Sequence, residues 1–196
     1  MKKVVFLVLA GMLSAGALQA QSGKAFYNSP YKSRNSGSYS KSTGILSFGL
    51  GFPNKPVGYW NGYGSHSSLP VLYAKYEHGI MDEVGIGGEL GITGGSYKYN
   101  GNAEKAKITA FHMAVMGYYH FNKLIPVKQL DVYAGAGLAL RNRAVSNAGF
   151  GDDTATEVNV AVKVGARYYF TDSFGAYLET GYDNMSDVNL GVSFRF

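Results

Sequence analysis

Cysteine is absent from the 196 residues, tryptophan occurs once, proline five times, and charged residues make up only 16%. Without thiols there is neither a disulfide framework nor a thiolate metal site, so burial and hydrogen bonding alone must hold the fold. So few charges beside 27 glycines and 14% aromatics do not fit a cytosolic enzyme of this size. Phosphate loops are missing too: there is no G-x-G-x-x-G in a strand-to-helix setting and no G-x4-G-K-[ST]. The four histidines, His66, His78, His112 and His120, show no metal-pair spacing, and neither a metal nor a cofactor is expected.

Long apolar runs are confined to one place. Met1-Lys2-Lys3 precedes an apolar stretch from Val4 to Leu18, followed by Gln19-Ala20-Gln21-Ser22. That order of basic, apolar and small residues predicts a signal peptide over residues 1–20, with cleavage after Ala20 or, alternatively, after Ala17. A stretch of about fifteen residues is shorter than the roughly twenty a spanning helix needs. No cysteine follows it to carry a lipid. The formal charge of +5 includes Lys2 and Lys3, so cleavage leaves +3. Part of the remainder, Lys24, Lys32, Arg34 and Lys41, lies in residues 21–43 among Ser, Asn, Gly and Tyr, with too few aliphatics for a core. A flexible polar segment is expected there. Sparse charge on an exported chain argues against nucleic acid as a partner.

From Gly44 onward the period is two. Val188 to Phe196 alternates apolar with polar or small residues without a fault, as do Val158 to Phe170 and Leu130 to Arg141. Adding Gly44 to Phe52, Leu69 to His78, Glu83 to Thr93, Lys107 to Phe121 and Phe174 to Tyr182 gives about eight strands. Gly79 to Asp82 and Thr171 to Ser173 read as tight turns, and Asn122 to Gln129 as an intermediate one. Pro53 to Ser68, Gly94 to Ala106 and Asn142 to Thr156 read as long polar loops, while Asp183 to Asp187 is short.

The face opposite the aliphatic one decides which way the barrel is turned. It carries Gly49, Gly51, Gly135, Gly137, Gly165 and Gly191 with isolated charges and tyrosines. Glycine is a poor choice for a strand face in water. Inside a narrow barrel it makes the room that Tyr133, Arg167 or Tyr177 needs. Aliphatic outward and glycine inward therefore predicts an all-β antiparallel transmembrane barrel, with short turns at its periplasmic end and longer loops outside. Three descending strands also end in an aromatic-x-aromatic step on the outward face, Tyr119 with Phe121, Tyr168 with Phe170, and Phe194 with Phe196, which predicts an interfacial girdle.

With the Tyr133-Ala134-Gly135-Ala136-Gly137 strand, the outward alternation and the terminal strand ending in Phe196, residues 44–196 resemble the small eight-stranded outer-membrane β-barrel superfamily, the group that includes the OmpA transmembrane domain and OmpX. The resemblance implies a location in the bacterial outer membrane, lipid and lipopolysaccharide as surroundings, and reading of Tyr182 to Phe196 by the barrel-assembly machinery. It leaves function open among a structural or loop-binding envelope protein, which is the leading expectation, a narrow channel for small or hydrophobic solutes, and a lipid A-modifying enzyme. No peptidoglycan-binding domain follows Phe196, so a tethering role is not expected.

For the enzyme reading, His66 and Ser68 with Asp152 and Asp153 are the candidate partners, similar to the His and Ser of lipid A deacylases but without their downstream Glu. Asp152, Asp153 and Glu157 form an acidic cluster whose simplest reading is a solvated loop. In the lumen, counting back from Thr171 to Ser173 sets Glu179 opposite Gly165, with Lys163 and Arg167 at the diagonals. The same count around Gly79 to Asp82 puts Glu89 diagonal to Lys75. A plug of ion pairs through Lys75, Glu89, Lys163, Arg167 and Glu179 is expected.

Overall fold

A computed structural model of the chain describes residues 37–58, 64–99, 105–147 and 152–196. The expected signal peptide and residues 21–36 lie outside the described residues. The described part is built from β1 (Gly44–Phe52), β2 (Gly64–Ser68), β3 (Val71–Gly79), β4 (Val84–Tyr99), β5 (Lys105–His120), β6 (Leu130–Asn147), β7 (Asp153–Tyr169), β8 (Phe174–Tyr182) and β9 (Val188–Arg195). Every pairing is antiparallel, and the sheet closes on itself through β1 with β9 and β4 with β5. Both β2 and β3 pair with β4, so they form one stave and the barrel has eight. Pro70, which has no N–H to give, sits at their junction. The register slips there by one residue, from Ser68 opposite Gly95 to Leu72 opposite Ile92, as in a bulge.

The two faces of each strand differ as the period-two pattern requires. Along β5 exposed and buried positions alternate without interruption, with Phe111, Met113 and Val115 outside and His112, Ala114 and Met116 inside. An apolar outer wall around a polar, filled interior inverts the arrangement of a soluble barrel. Inward glycines make space for rings: the positions a Cβ would take on Gly135, Gly165 and Gly49 lie within 3 Å of Tyr118, Tyr133 and Tyr177 respectively.

Two segments differ from the sequence expectation. Residues expected in the long loops Pro53 to Ser68, Gly94 to Ala106 and Asn142 to Thr156 are instead strand: Gly64–Ser68 forms β2, and β4 to β7 reach lengths of 16 to 18 residues. Backbone pairing carries a ladder past the point where the outward residues turn polar, which a pattern of side chains alone does not register. The second difference is at the N-terminal side of the barrel. Ser38 and Tyr39, expected in a flexible segment, are buried in the mouth at the short-turn end. Asn122 donates to the Tyr39 carbonyl, Arg195 donates to the Ser38 carbonyl, and the Tyr39 ring stacks on His120 at 3.4 Å.

The tight inner wall generates a prediction about two glycines. A Cβ on Gly137 would lie 2.0 Å from the Val115 carbonyl and 2.8 Å from the Met116 sulfur, whereas one on Gly88 would meet nothing nearer than 3.7 Å. Gly137→Ala is expected to cost about 1–3 kcal/mol of folded stability and Gly88→Ala less than about 0.5 kcal/mol. Urea titration of protein refolded in detergent micelles, read by the mobility shift between unboiled and boiled samples, checks this; equal midpoints would contradict the packing.

Candidate functional site

The lumen holds two layers of charge, each supplied by strands far apart in sequence. In the first, β3, β4, β7 and β8 bring Lys75, Glu89, Lys163 and Glu179 into one square. Lys75 Nζ lies 3.0 Å from Glu89 and 2.7 Å from Glu179, while Lys163 Nζ lies 2.5 Å from Glu89 and 3.3 Å from Glu179. Tyr133 donates a 2.8 Å hydrogen bond to Glu179, and His112 Nε2 lies 3.2 Å from Glu89. Lys163 also reaches Asp183 at 2.9 Å, just beyond the end of β8. Burial pushes the Asp183 carboxyl up, but the Lys163 ammonium and the Tyr73 hydroxyl outweigh it and hold the group below the ordinary carboxylate range.

The second layer lies toward the short-turn end. Arg167 donates to Asp131 at 2.9 Å and to Glu77 at 2.7 Å, and its guanidinium covers the Tyr133 ring at 4.0 Å. His120 sits between the same two carboxylates, with Nδ1 2.7 Å from Asp131 and Nε2 2.6 Å from Glu77. Two carboxylate partners are both satisfied as acceptors when both ring nitrogens carry a proton. One cation on Arg167 and one on His120 then balance the two acids. Tyr133, touching Glu179 on one side and Arg167 on the other, joins the layers.

These positions correct the sequence-based count in two respects. Glu179 is opposite Gly165 as counted, but Glu89 faces Lys75 directly rather than diagonally. Arg167 does not pair with Glu179: it belongs to the other layer, with Glu77 and Asp131. The missed residues are Glu77, Asp131, His120 and Asp183. A count across one turn reaches only the neighbouring strand, whereas Lys75 to Glu179 and Lys163 to Glu89 cross the barrel. Among the described residues, Glu89, His112 and Asp183 place donor atoms within 4.8 Å of one another, but the Lys163 ammonium already bridges two of the three.

Both mouths are covered. Tyr39, stacked on His120, fills the mouth at the short-turn end. At the opposite end, Lys55 donates from its backbone to Met185, Asp187 donates to Phe52, and Arg143 donates to the Pro56 carbonyl. Val57 and Met185 are fully enclosed by this cap. The candidates for chemistry are not gathered: the strands carrying Ser68 and Asp153, β2 and β7, are separated by β4, β5 and β6 around the wall. The His66 side chain lies outside the described residues. Asp152 and Asp153 are exposed, and Glu157 is paired with Arg141 at 2.8 Å.

On the outside, the six aromatics of the expected girdle lie at the short-turn end. Tyr119 packs with Phe121 at 5.3 Å and Tyr168 with Phe170 at 5.6 Å; the chain of rings continues through Phe174 to Phe194. Phe196 is mostly exposed, exchanges backbone hydrogen bonds with Gly44, and stacks beside Tyr76 at 6.5 Å. A closed wall with an apolar band outside, a ring of aromatics at one end and paired charges within agrees with the family comparison, in which the outer membrane protein beta-barrel domain matches residues 5–196. The chain belongs to this family. Short turns in such barrels are periplasmic, which places the β4–β5 and β6–β7 hairpins outside the cell.

Among solved structures the fold is similar to Ail, the attachment invasion locus protein of Yersinia pestis, crystallised in complex with the heparin analogue sucrose octasulfate: TM-score 0.52, 14% identity, 80% of this chain and 99% of that one. It is also similar to the outer membrane protein OprG from Pseudomonas aeruginosa, with TM-score 0.53 at 11% identity over 81% and 98% of the two chains. At these identities the likeness establishes the fold. No curated protein sequence matches the chain.

A consequence for stability follows from the burial of the square. Glu179→Ala would leave the buried Lys75 and Lys163 short of an acid and is expected to cost about 3–5 kcal/mol. Glu157→Ala removes a pair whose acid is half exposed, and should cost less than about 1 kcal/mol. Unfolding midpoints of the two variants in the same micelles check this, and comparable losses would contradict it.

Proposed function

We propose that the protein is a sealed, non-enzymatic barrel of the outer membrane that uses its lumen as a core and presents its external hairpins for binding. The observation that carries this reading is the threefold blockage of the axis: the cap of residues 53–58 and 183–187, the two charge layers, and the Ser38–Tyr39 segment. An open pore would keep its charges in water, whereas Glu89, Glu179 and Arg167 have almost no exposed surface. The separation of the Ser and Asp candidates around the wall speaks for binding over acyl transfer. Export through a cleaved signal peptide and recognition of the terminal strand by the assembly machinery belong to the same proposal.

Conductance tests it. Purified protein in planar bilayers is expected to give small, rare openings, and Glu179→Ala, which loosens the square, more frequent ones. Large, steady conductance in the parent would replace the sealed barrel with a channel. The role of the terminus has its own check. Phe196→Asp puts a charge on the lipid face at the girdle and should reduce the heat-modifiable fraction recovered from membranes severalfold, while Ser193→Ala, on the inner face opposite Ser47, should leave assembly near the parent's.

A further inference from the structure

The external end of the β4–β5 hairpin carries three lysines on one face. Lys98 stands directly opposite Lys105, and Lys107, opposite Ser96, is two residues along from Lys105. The parity of both strands makes this the outer face of the barrel. Leu90 and Ile92 on β4 and Phe111 and Met113 on β5, which occupy the same face further down, are exposed lipid-facing positions. The lysines therefore continue the lipid-facing surface upward. Their alternates Ala106 and Ile108 are buried, and Val57 of the external cap lies against Gly95 from inside, so the hairpin is backed by packed side chains.

The height of this patch matches a membrane surface. From Phe121 to Phe111 the outward residues of the descending strand span about 34 Å of chain, or roughly 25 Å of height at the usual tilt, which is the apolar band of such a barrel. Lys107 is four residues above Phe111, about 10 Å higher by the same arithmetic, and a lysine stem reaches back toward an interface. Two like charges directly opposite on adjacent strands repel each other. Among the described residues none of the three is ion-paired to a carboxylate, and between Lys98 and Lys107 the sequence holds one acid, Glu104. Two other cations of the external end are paired with acids there, Lys55 with Asp187 and Arg141 with Glu157.

We propose that Lys98, Lys105 and Lys107 form a binding site for the phosphate groups of the outer leaflet's anionic glycolipid, seated against the apolar wall at Ile92 and Phe111. An anion between Lys98 and Lys105 removes their repulsion, and Thr109 and Ser96 supply hydroxyl donors on the same face. Acyl chains and phosphate are engaged together, which distinguishes a lipid from a free anion. The inference rests on the external placement of the hairpins in the reading above.

The experiment compares the parent with the K98Q/K105Q/K107Q triple variant and with K123Q/K128Q, which alters lysines at the periplasmic end. Each is refolded in micelles with purified lipopolysaccharide, with the same lipid dephosphorylated, or with lipopolysaccharide plus excess inorganic phosphate, and lipid retained through gel filtration is measured. The triple variant is expected to retain about tenfold less lipopolysaccharide than the parent and K123Q/K128Q to match it, the dephosphorylated lipid to be retained weakly by all, and inorganic phosphate to compete poorly. Equal retention by parent and triple variant, or of both lipids, overturns the site; full displacement by inorganic phosphate overturns the lipid as its occupant. Ser146→Cys, beside Lys107 on the neighbouring strand and the sole thiol in the chain, is expected to react with a membrane-impermeant maleimide on intact cells. No labelling overturns the external placement and this inference with it, whereas labelling with unchanged lipid retention overturns this inference alone.

Discussion

Closing eight strands into a tube leaves an interior just wide enough for side chains, and every inward-facing residue must then find its partner among the others that point inward. Lys75, Glu89, Lys163 and Glu179 meet that condition by crossing the lumen, so that each cation contacts two acids and each acid two cations. No single member of the square can be removed without leaving a buried charge short of its partner, and the strands that supply them span most of the chain. The same closure dictates where glycine goes. Tyrosine rings bridge the charge layers because inward neighbours such as Gly135 and Gly165 carry no side chain to stop them.

How far the sequence revealed this depends on whether a feature is local to a strand. The alternation in Val158 to Phe170 and Val188 to Phe196 locates the strands and their faces, because an outward Val and an inward Lys cannot exchange without putting charge in lipid. The tight turn at Thr171 to Ser173 fixes Glu179 opposite Gly165. Partners across the lumen are another matter, since which strands face each other depends on closure and stagger that no single hairpin carries. Arg167 and Glu77 are 90 residues apart, and only the closed barrel puts them 2.7 Å from each other. Glu77 itself sits on the inner face of a strand whose alternation is plain; its role was hidden because its partners were.

Two further features escaped for reasons of composition. The upper half of β4 contains Gly94, Gly95, Ser96 and Lys98, a mixture that reads as loop, yet the ladder with β5 continues because backbone groups pair whatever the side chains are. Ser38 to Thr43 looks too polar to pack, but a barrel mouth lined by His120 and Asn122 offers hydrogen bonds rather than apolar surface. A polar segment is what fits it.

The distribution of charge separates the molecule's tasks by position. Inside, acids and cations are matched so closely that Lys163 occupies the place where a metal could otherwise sit among Glu89, His112 and Asp183. On the lipid-facing wall charge is excluded by the cost of burying it in hydrocarbon. What remains free to vary is the external rim, where Lys98, Lys105 and Lys107 stand without a carboxylate partner among the described residues. A packed interior makes that freedom available, because substitutions on the rim's outer face touch neither the square nor the wall, and the backing of Ala106 and Ile108 keeps the hairpin in place while its exposed face changes. The binding proposed for the rim and the stability of the lumen thus rest on different residues of the same strands, separated by the alternation that the sequence shows from Gly44 onward.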